Sequence, residues 1–464
     1  MQEPKAEILE PNFVNYIKSF REIGYSFEVA VADIIDNSIS AGADVVKIYA
    51  IQNPKPLFCV LDNGSGMSEN ELKEAMRMGS KDPNMLREPT ALGKFGLGLK
   101  SASFSQCKKL TVLSKQDDNI YAKQWDLDYM CRRNDWYLLT PDLEDYKQLE
   151  IFHDFNQYAT ATLVIWEEID KVDQITSHLQ TLREHLSLVF HQFLEGTCLP
   201  KKLKIFINNT PIKPFNPFNP DHPATFDKGP EIIPYNGKRI EVTPFILPHH
   251  SKVSQVEWEK YGGRDGYVKS QGFYLYRAHR LLVYGKWWGL FKASEATKLV
   301  RIKIEISNDQ DALWRIDVKK SMANPLAGIK EQLKRIASKA MEDGKKPFSV
   351  RGRKIGDKNV VRFWDLMRAN PPMHFAINKD HPFYKNLIDA LDDSQKKLLN
   401  LYLKSLQAYL PIEAIQIQVQ QNPHAFLQED TISETERKEM LEWAEKLGLS
   451  PEEIAHIEGF KKRK

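Results

Sequence analysis

Cysteine is scarce in this sequence, and its few cysteines lie far apart. Among 464 residues there are four, and no two of them form a Cys-x-x-Cys pair: Cys59, Cys107, Cys131 and Cys198. This spacing argues against both a zinc knuckle and a disulfide framework. We interpret the four as reduced thiols of a folded core.

Long apolar runs are also missing. No stretch approaches the roughly 18 apolar residues that a membrane-spanning helix needs. The first residues have neither the basic end nor the apolar stretch of a secretory signal. We therefore expect a cytoplasmic protein that engages no membrane.

A strong excess of one charge is absent as well. Lysine and arginine total 65 while aspartate and glutamate total 62, so the formal net charge of +3 predicts no overall attraction to nucleic acid. Any nucleic-acid-binding surface has to be local. Apolar residues make up 42% and charged residues 27%, which is typical of a globular chain and excludes general disorder.

Changes in residue pattern divide the chain into four segments. We expect an α/β unit over 1–170, a second α/β unit over 171–325, a basic helix and linker over 326–362, and a mostly helical region over 363–464. Helices alternate with strands in the first segment, which predicts an α/β sandwich. Ser68 followed by Glu71 is the pattern of a capping box, so a helix is expected to begin there.

The third segment carries a local positive charge. Residues 328–362 contain 11 lysines or arginines against 4 acidic residues. Such a stretch attracts phosphate backbones without regard to base sequence, so DNA is a possible partner through Arg351, Arg353 and Lys354. A solvated linker would have the same composition.

One helical pattern places two polar side chains on the same face. Asp33 and Asn37 are four residues apart in the run Ala32 to Ser38, so they stack along a predicted helix. A carboxylate beside a carboxamide suits water activation and Mg²⁺ coordination, because Mg²⁺ takes hard oxygen ligands and leaves positions for phosphates. Taken alone, the pair also fits an ordinary polar helix face.

A second motif combines an acidic residue with two glycines at a strand end. Asp62 is followed by Gly64, Gly66 and Met67. An anionic carboxylate accepts hydrogen bonds, so it suits the exocyclic amino group of adenine, and the glycines let the backbone approach the base. A plain turn would look similar.

The third motif is a glycine-rich run before a predicted helix. Backbone N–H groups and the positive end of a helix can converge on phosphates at such a place. The run matches neither a Walker A loop nor a Rossmann fingerprint. The residues that we expect to bind nucleotide here are Gly93, Lys94, Phe95, Gly96, Leu97, Gly98, Leu99 and Lys100.

The order of these motifs resembles the superfamily of gyrase, heat-shock chaperone, histidine kinase and MutL (GHKL) ATPases. The glycine-rich run with its Lys100-Ser101 ending is particularly similar to MORC proteins, and Ala161-Thr162 resembles the family's last box. The family usually has glutamate where this chain has Asp33, and glycine where it has Ala161. Aspartate is one methylene shorter and reaches less far toward a water molecule, so slow turnover is expected.

The resemblance implies a fold, cofactors and roles for single residues. It implies a GHKL/Bergerat-type ATP-binding α/β sandwich, a ribosomal-protein-like transducer α/β domain and a mostly helical C-terminal region. ATP and Mg²⁺ are the implied cofactors, with Asp33 as general base, Asn37 as Mg²⁺ ligand and Thr162 supporting the adenine pocket. Transducer domains of this kind send a lysine to the γ-phosphate, and the matching residues are Lys320 first and Lys319 second.

The implied function is an ATP-gated switch. We expect ATP-dependent homodimerisation with slow hydrolysis, and a clamp that holds or remodels DNA; one setting for it is a restriction or phage-defence system. The alternatives are a nucleotide-sensing scaffold with little ATPase activity, which recruits an effector protein through the C-terminal region, and a chaperone-like ATPase.

Overall fold

The structure is a computed structural model that divides into two compact units. The first combines Met1–Leu247 with Gly263–Met341, and the second combines Pro248–Gly262 with Glu342–Lys464. None of the helices in the described part of the chain is long and apolar enough to cross a bilayer. The structure describes residues 9, 12–22, 24–52, 55–80, 92, 98–172, 174–198, 200–317, 322–352, 361–368, 373–415, 434–446 and 448–457.

A mixed seven-stranded sheet forms the centre of the first half of the chain. Its strand order is β4-β3-β5-β2-β1-β6-β7, and every neighbouring pair is antiparallel except β1 with β6. The strands are β1 (Val45–Ile51), β2 (Leu57–Asp62), β3 (Cys107–Gln116), β4 (Asn119–Asp126), β5 (Ala161–Ile169), β6 (Lys204–Ile207) and β7 (Thr210–Pro211).

Helices cover both faces of this sheet. Side chains alternate along each strand, so Val60 of β2 packs on the larger helical layer while Leu61 faces the opposite side. The larger layer includes the first, second, fourth and seventh helices, and the opposite face is covered by the sixth. The helices are α1 (Phe13–Arg21), α2 (Phe27–Ser40), α3 (Glu69–Met76), α4 (Gly98–Phe104), α5 (Leu127–Arg133), α6 (Glu150–Gln157), α7 (Ile175–Val189) and α8 (His191–Glu195).

This arrangement is the predicted α/β sandwich, and several of its local features follow from the sequence. Ser68 and Glu71 form the expected capping box at the start of α3. The sheet, however, extends beyond residue 170, since β6 pairs in parallel with β1 and β7 follows it. Parallel pairing requires a long crossover, and α7 lies within that crossover.

A second sheet follows in the same compact unit. Its order is β12-β11-β13-β10-β8, with β9 also paired to β10, and β11 runs parallel to β13. Its strands are β8 (Phe226–Asp227), β9 (Glu231–Tyr235), β10 (Lys238–Ile246), β11 (Gly272–Arg277), β12 (Arg280–Lys286) and β13 (Val300–Ile306). This unit also contains α10 (Gly266–Ser270), α11 (Asp311–Trp314) and the first part of α12 (Ala327–Gly352), whereas α9 (Gln255–Gly262) belongs to the second unit.

The second sheet is packed on both faces. Ile329, Leu333 and Ile336 of α12 join Val242 and Ile302 of the strands in one apolar cluster. On the other face, aromatic residues form a smaller cluster that also contacts Leu188 of α7. The seventh helix therefore contributes to the cores beneath both sheets.

The C-terminal region contains strands that the sequence analysis did not anticipate. An antiparallel hairpin joins β14 (Trp364–Arg368) to β15 (Met373–Ile377). The described helices that follow are α13 (Pro382–Asp389), α14 (Asp393–Ala408), α15 (Glu434–Lys446) and α16 (Pro451–His456). The region is therefore helical with a short β-hairpin at its start.

Candidate nucleotide-binding site

Helix α2 positions Asp33 and Asn37. Ser26 caps the helix by accepting a hydrogen bond from the Val29 N–H, and apolar residues hold it against the sheet. Asp33 is 2% exposed whereas Asn37 is exposed, so one polar face of α2 runs from the interior to the surface.

Tyr25 and Arg280 both contact the carboxylate of Asp33. The hydroxyl of Tyr25 donates to Asp33 Oδ2 at 3.0 Å, and the guanidinium of Arg280 lies 3.5 Å from Oδ1. Burial raises the pKa of Tyr25, and the negative charge of Asp33 raises it further. Tyr25 therefore keeps its proton and remains a hydrogen-bond donor to Asp33.

Asp62 ends β2 in a buried polar pocket. Its Oδ2 accepts a hydrogen bond of 2.7 Å from the Ser38 hydroxyl, and its Oδ1 accepts one of 2.9 Å from the Gly64 N–H. Burial raises the pKa of Asp62 to about 6, although these hydrogen bonds act in the opposite direction. Thr162, which is also buried, is its register partner on β5. A carboxylate, a hydroxyl and a backbone turn thus meet where an adenine is expected.

The turn after Asp62 has room for glycine alone. A Cβ atom at Gly64 would lie 2.8 Å from the Cβ of Ala41. Gly66 has a φ of +64°, and a Cβ there would lie 2.1 Å from the carbonyl oxygen of Lys115. The next N–H, that of Met67, donates to Ser114 Oγ at 2.7 Å. The backbone of this motif is therefore fixed by close approach to the neighbouring strands.

The glycine-rich run is only partly within the described structure. Gly98 begins α4, and a Cβ at Gly98 would lie 3.9 Å from Asp33 Oδ2, so the start of this helix lies beside the predicted base. Leu99 packs against the apolar cluster between the seven-stranded sheet and its larger helical layer. The buried ammonium of Lys100 donates to the Ala75 carbonyl at 2.9 Å, toward the end of α3. Gly93, Lys94, Phe95, Gly96 and Leu97 lie outside the described residues.

Other predicted residues cannot be placed from the described structure. Lys319 and Lys320 lie outside it, as do Arg353 and Lys354 and the side chain of Arg351. Their roles remain predictions.

The residues that are placed fit a magnesium nucleotide. In the part of the chain that the structure describes, no three histidine, cysteine, aspartate or glutamate side chains group as a metal site. An ion held through Asn37 would complete its coordination with phosphate oxygens and water, which is the usual binding mode of Mg²⁺ with nucleotides.

Arg280 was missed by the sequence analysis. It is 4% exposed and contacts both Asp33 and Asp36 of α2, with its Nε 2.7 Å from Asp36 Oδ1. In the sequence it stands at the start of an apolar strand, where its partners, more than 240 residues earlier, leave no local pattern. The signal that the sequence does contain is an arginine directly before an apolar run.

The comparison with known families agrees with this geometry. Residues 25–162 match the family described as histidine kinase-, DNA gyrase B-, and HSP90-like ATPase. This segment is a GHKL ATPase domain. It contains Asp33, Asn37, Asp62 and the glycine-rich run, so the predicted family of the first domain is confirmed.

Known relatives of the GHKL domain include MORC and MutL proteins. ATPase MORC2B of Mus musculus is 33% identical over 95 residues, which are 20% of this chain and 9% of the relative. ATPase MORC2 of Homo sapiens is 30% identical over 95 residues, again 20% and 9%. DNA mismatch repair protein MutL of Neisseria meningitidis serogroup C (strain 053442) is 30% identical over 125 residues, which are 26% and 18%. The chain thus matches less than a fifth of the length of each of these relatives.

Proposed function

We propose that this protein is a slow ATP-hydrolysing switch that dimerises when ATP binds and then clamps or remodels DNA. The observation that carries the enzymatic part is the arrangement around α2. A buried Asp33, an exposed Asn37 one turn later, and Asp62 bonded to Ser38 all lie in the GHKL domain.

Each of these residues has a separate role in the proposed hydrolysis. Asp62 accepts a hydrogen bond from the adenine amino group, and Asn37 supplies an oxygen to the metal. Mg²⁺, when bound, offsets the charge of the phosphates. Asp33 accepts a proton from the attacking water. Lys320, or else Lys319, stabilises the charge that develops on the γ-phosphate.

The DNA part is supported by the basic stretch and by analogy. Arg351, Arg353 and Lys354 follow one another closely in a segment with an excess of positive charge. MutL is named a DNA mismatch repair protein. We infer a contact to the phosphate backbone, which needs no base recognition.

Light scattering tests the gated dimer directly. The mass of the purified chain is measured with Mg²⁺ and a non-hydrolysable ATP analogue, and again without nucleotide. A mass that doubles only with the analogue supports the clamp. If the analogue binds and the mass stays that of one chain, self-closure is wrong.

DNA binding is tested with a triple substitution of Arg351, Arg353 and Lys354 to alanine. We expect weaker binding to all duplex sequences and a smaller dependence on salt. The control replaces three exposed lysines elsewhere, which are Lys201, Lys202 and Lys269. Equal losses in the two variants would contradict the proposed contact.

A nucleotide-sensing scaffold is the second candidate, and one observation favours it. Tyr25 and Arg280 engage both oxygens of Asp33, and this residue is already shorter than the glutamate usual in the family. Such a protein would bind ATP, hydrolyse almost none, and recruit an effector through its C-terminal region. Phosphate release by the wild type that Asp33→Asn abolishes would exclude it.

A further inference from the structure

The turn between β11 and β12 has an unusual backbone. Its two central residues, Ala278 and His279, have φ values of +45° and +69°. A two-residue hairpin turn of type I′ needs positive φ at both positions, which asparagine, aspartate or glycine usually supply. Other residues keep it only where the surroundings hold them there.

Contacts on both sides hold this turn. The imidazole of His279 lies 2.9 Å from the Gln192 side-chain oxygen. Arg277 forms two hydrogen bonds with Asp311, of 2.6 and 2.9 Å, and donates a third of 3.2 Å to the carbonyl of Leu92. Leu92 directly precedes the glycine-rich run, so through Arg277 the hairpin contacts the residue next to one nucleotide motif.

The same hairpin touches a second nucleotide motif through Arg280. Its Nε bonds Asp36 Oδ1 at 2.7 Å and its Nη2 lies 3.5 Å from Asp33 Oδ1. The guanidinium also packs 5.7 Å from the ring centre of Phe190. A planar guanidinium can serve two carboxylates at once, whereas a single ammonium cannot reach both in the same geometry.

Two described ionisable groups near this pair, His185 and Tyr25, are uncharged near pH 7. Burial, and then the charge of Arg280, lower the pKa of His185 to about 4, so this imidazole is neutral near pH 7. Tyr25 keeps its proton, and Glu28, which affects His185, is acidic. Arg280 therefore brings a positive charge to both Asp33 and Asp36.

We propose that Arg280 is a positioning residue for ATP hydrolysis, which holds Asp33 and Asp36 so that the orientation of the general base follows the position of the β11–β12 hairpin. This inference rests on the proposed ATPase function. Movement of the hairpin would move the carboxylate that activates water and, through Arg277, the residue before the glycine-rich run.

The test replaces Arg280 by lysine, which keeps the positive charge but loses the planar guanidinium that contacts two carboxylates. Phosphate release gives kcat, calorimetry with a non-hydrolysable ATP analogue gives Kd, and thermal unfolding gives Tm. We expect kcat to fall roughly tenfold to a hundredfold, the cost of a misplaced catalytic group, while Kd stays unchanged. Arg264→Lys is the control, because this arginine pairs with Glu184 on the surface and should leave all three quantities unchanged.

A double-mutant cycle with Asp36→Asn separates positioning from simple loss of structure. We expect Asp36→Asn to lower kcat as well, and the Arg280→Lys, Asp36→Asn double variant to be no slower than the worse single variant, since both act on one unit. Additive losses in kcat would overturn the proposal, and so would a loss of activity that tracks Tm. If Arg280→Lys does not fold, Asp36→Asn alone tests the proposal, because asparagine preserves the size of the side chain. A wild-type kcat in Asp36→Asn then refutes the proposal.

Failure of the proposed function gives a different result. A wild-type chain that binds no ATP analogue, or that binds the analogue but releases no phosphate from ATP, refutes the ATPase itself. A wild type that hydrolyses ATP at the same kcat as Arg280→Lys refutes only the positioning role.

Discussion

Asn37 lies one helical turn after Asp33 on α2, and Asn37 is exposed while Asp33 is 2% exposed. Under the proposed function, a nucleotide that enters from the surface would therefore meet the carboxamide first. Its phosphates and metal would then stand between bulk solvent and the carboxylate. Under the proposed function, Asp33 would act on a water molecule enclosed with the nucleotide, where competing proton exchange with bulk water is limited.

Replacing Asp33 by asparagine should remove hydrolysis and spare binding. Asparagine keeps the size of the side chain but accepts no proton at neutral pH, and general-base catalysis contributes about 10²- to 10⁴-fold to a rate. We expect kcat to fall by that factor in a phosphate-release assay. Asp128→Asn is a matched control, since that carboxylate is half exposed on α5. Unchanged turnover in Asp33→Asn would exclude it as the base.

Asn37 should link nucleotide affinity to Mg²⁺. With the wild type, adding EDTA should weaken ATP binding by about tenfold, the loss expected for one charge-assisted contact. In Asn37→Ala the affinity should already be low and should not respond to EDTA. Titration calorimetry with and without EDTA measures both. An EDTA effect of equal size in the two proteins would place the metal elsewhere.

Asp62→Asn should weaken ATP binding because one of its two acceptor oxygens becomes a donor. Hydrogen bonds to charged groups contribute about 1.5 to 3 kcal/mol, so a loss of about 10- to 100-fold in affinity is expected. The pH dependence follows from the same residue. Below a pKa of about 6, Asp62 takes up a proton and loses acceptor capacity, so wild-type affinity should fall as the pH decreases from 7 to 5.

The asparagine variant also serves as the control for that pH series. Protonation of the nucleotide phosphates affects both proteins equally, so the difference between them isolates Asp62. The difference in ATP affinity between the wild type and Asp62→Asn should become smaller toward pH 5. A constant difference would show that Asp62 does not titrate in this range.

Gly66→Ala should destabilise the fold more than Gly42→Ala. Both glycines have positive φ, +64° and +76°, and forcing alanine into this region costs about 1 to 2 kcal/mol. A Cβ at Gly42 meets no atom within 4 Å, whereas at Gly66 it would collide with the Lys115 carbonyl. Overpacking should add about 1 to 3 kcal/mol for Gly66→Ala. Urea unfolding of the two variants measures the difference, and equal values would mean that the turn can move.

Local patterns predicted the elements that carry the nucleotide motifs. Ser26, Ser68 and Glu71 indicate where helices begin, because their side chains form hydrogen bonds with the nearby backbone. Four or five consecutive residues are therefore enough to predict such a helix start. The predicted strand that ends at Asp62, β2, likewise follows from an apolar run. The family of the first domain followed from the order of such motifs.

Elements that depend on distant partners were not predicted. The strand β10 contains Pro244, which argues against a strand inside a sheet, yet the strand pairs with β13 along its whole second half. Arg280 has no local feature that reveals its bond to Asp36, because the fold alone brings the two together. The role of Lys320 remains a prediction for the same reason. It depends on a contact between the second α/β unit and a nucleotide bound in the GHKL domain.

The parallel pairing of β6 with β1 determines where the ATP-binding domain can be cut. A fragment that ends at residue 170 keeps the nucleotide motifs but lacks the strand that carries Ile205 and Ile207 and the apolar residues of α7. Its strand β1 would become an open edge, which pairs readily with other chains. We expect light scattering to show aggregates of this fragment. A fragment that continues through residue 214 should not aggregate. We therefore expect completion of the sheet to set the smallest stable fragment of the GHKL domain, which reaches well past its last nucleotide motif.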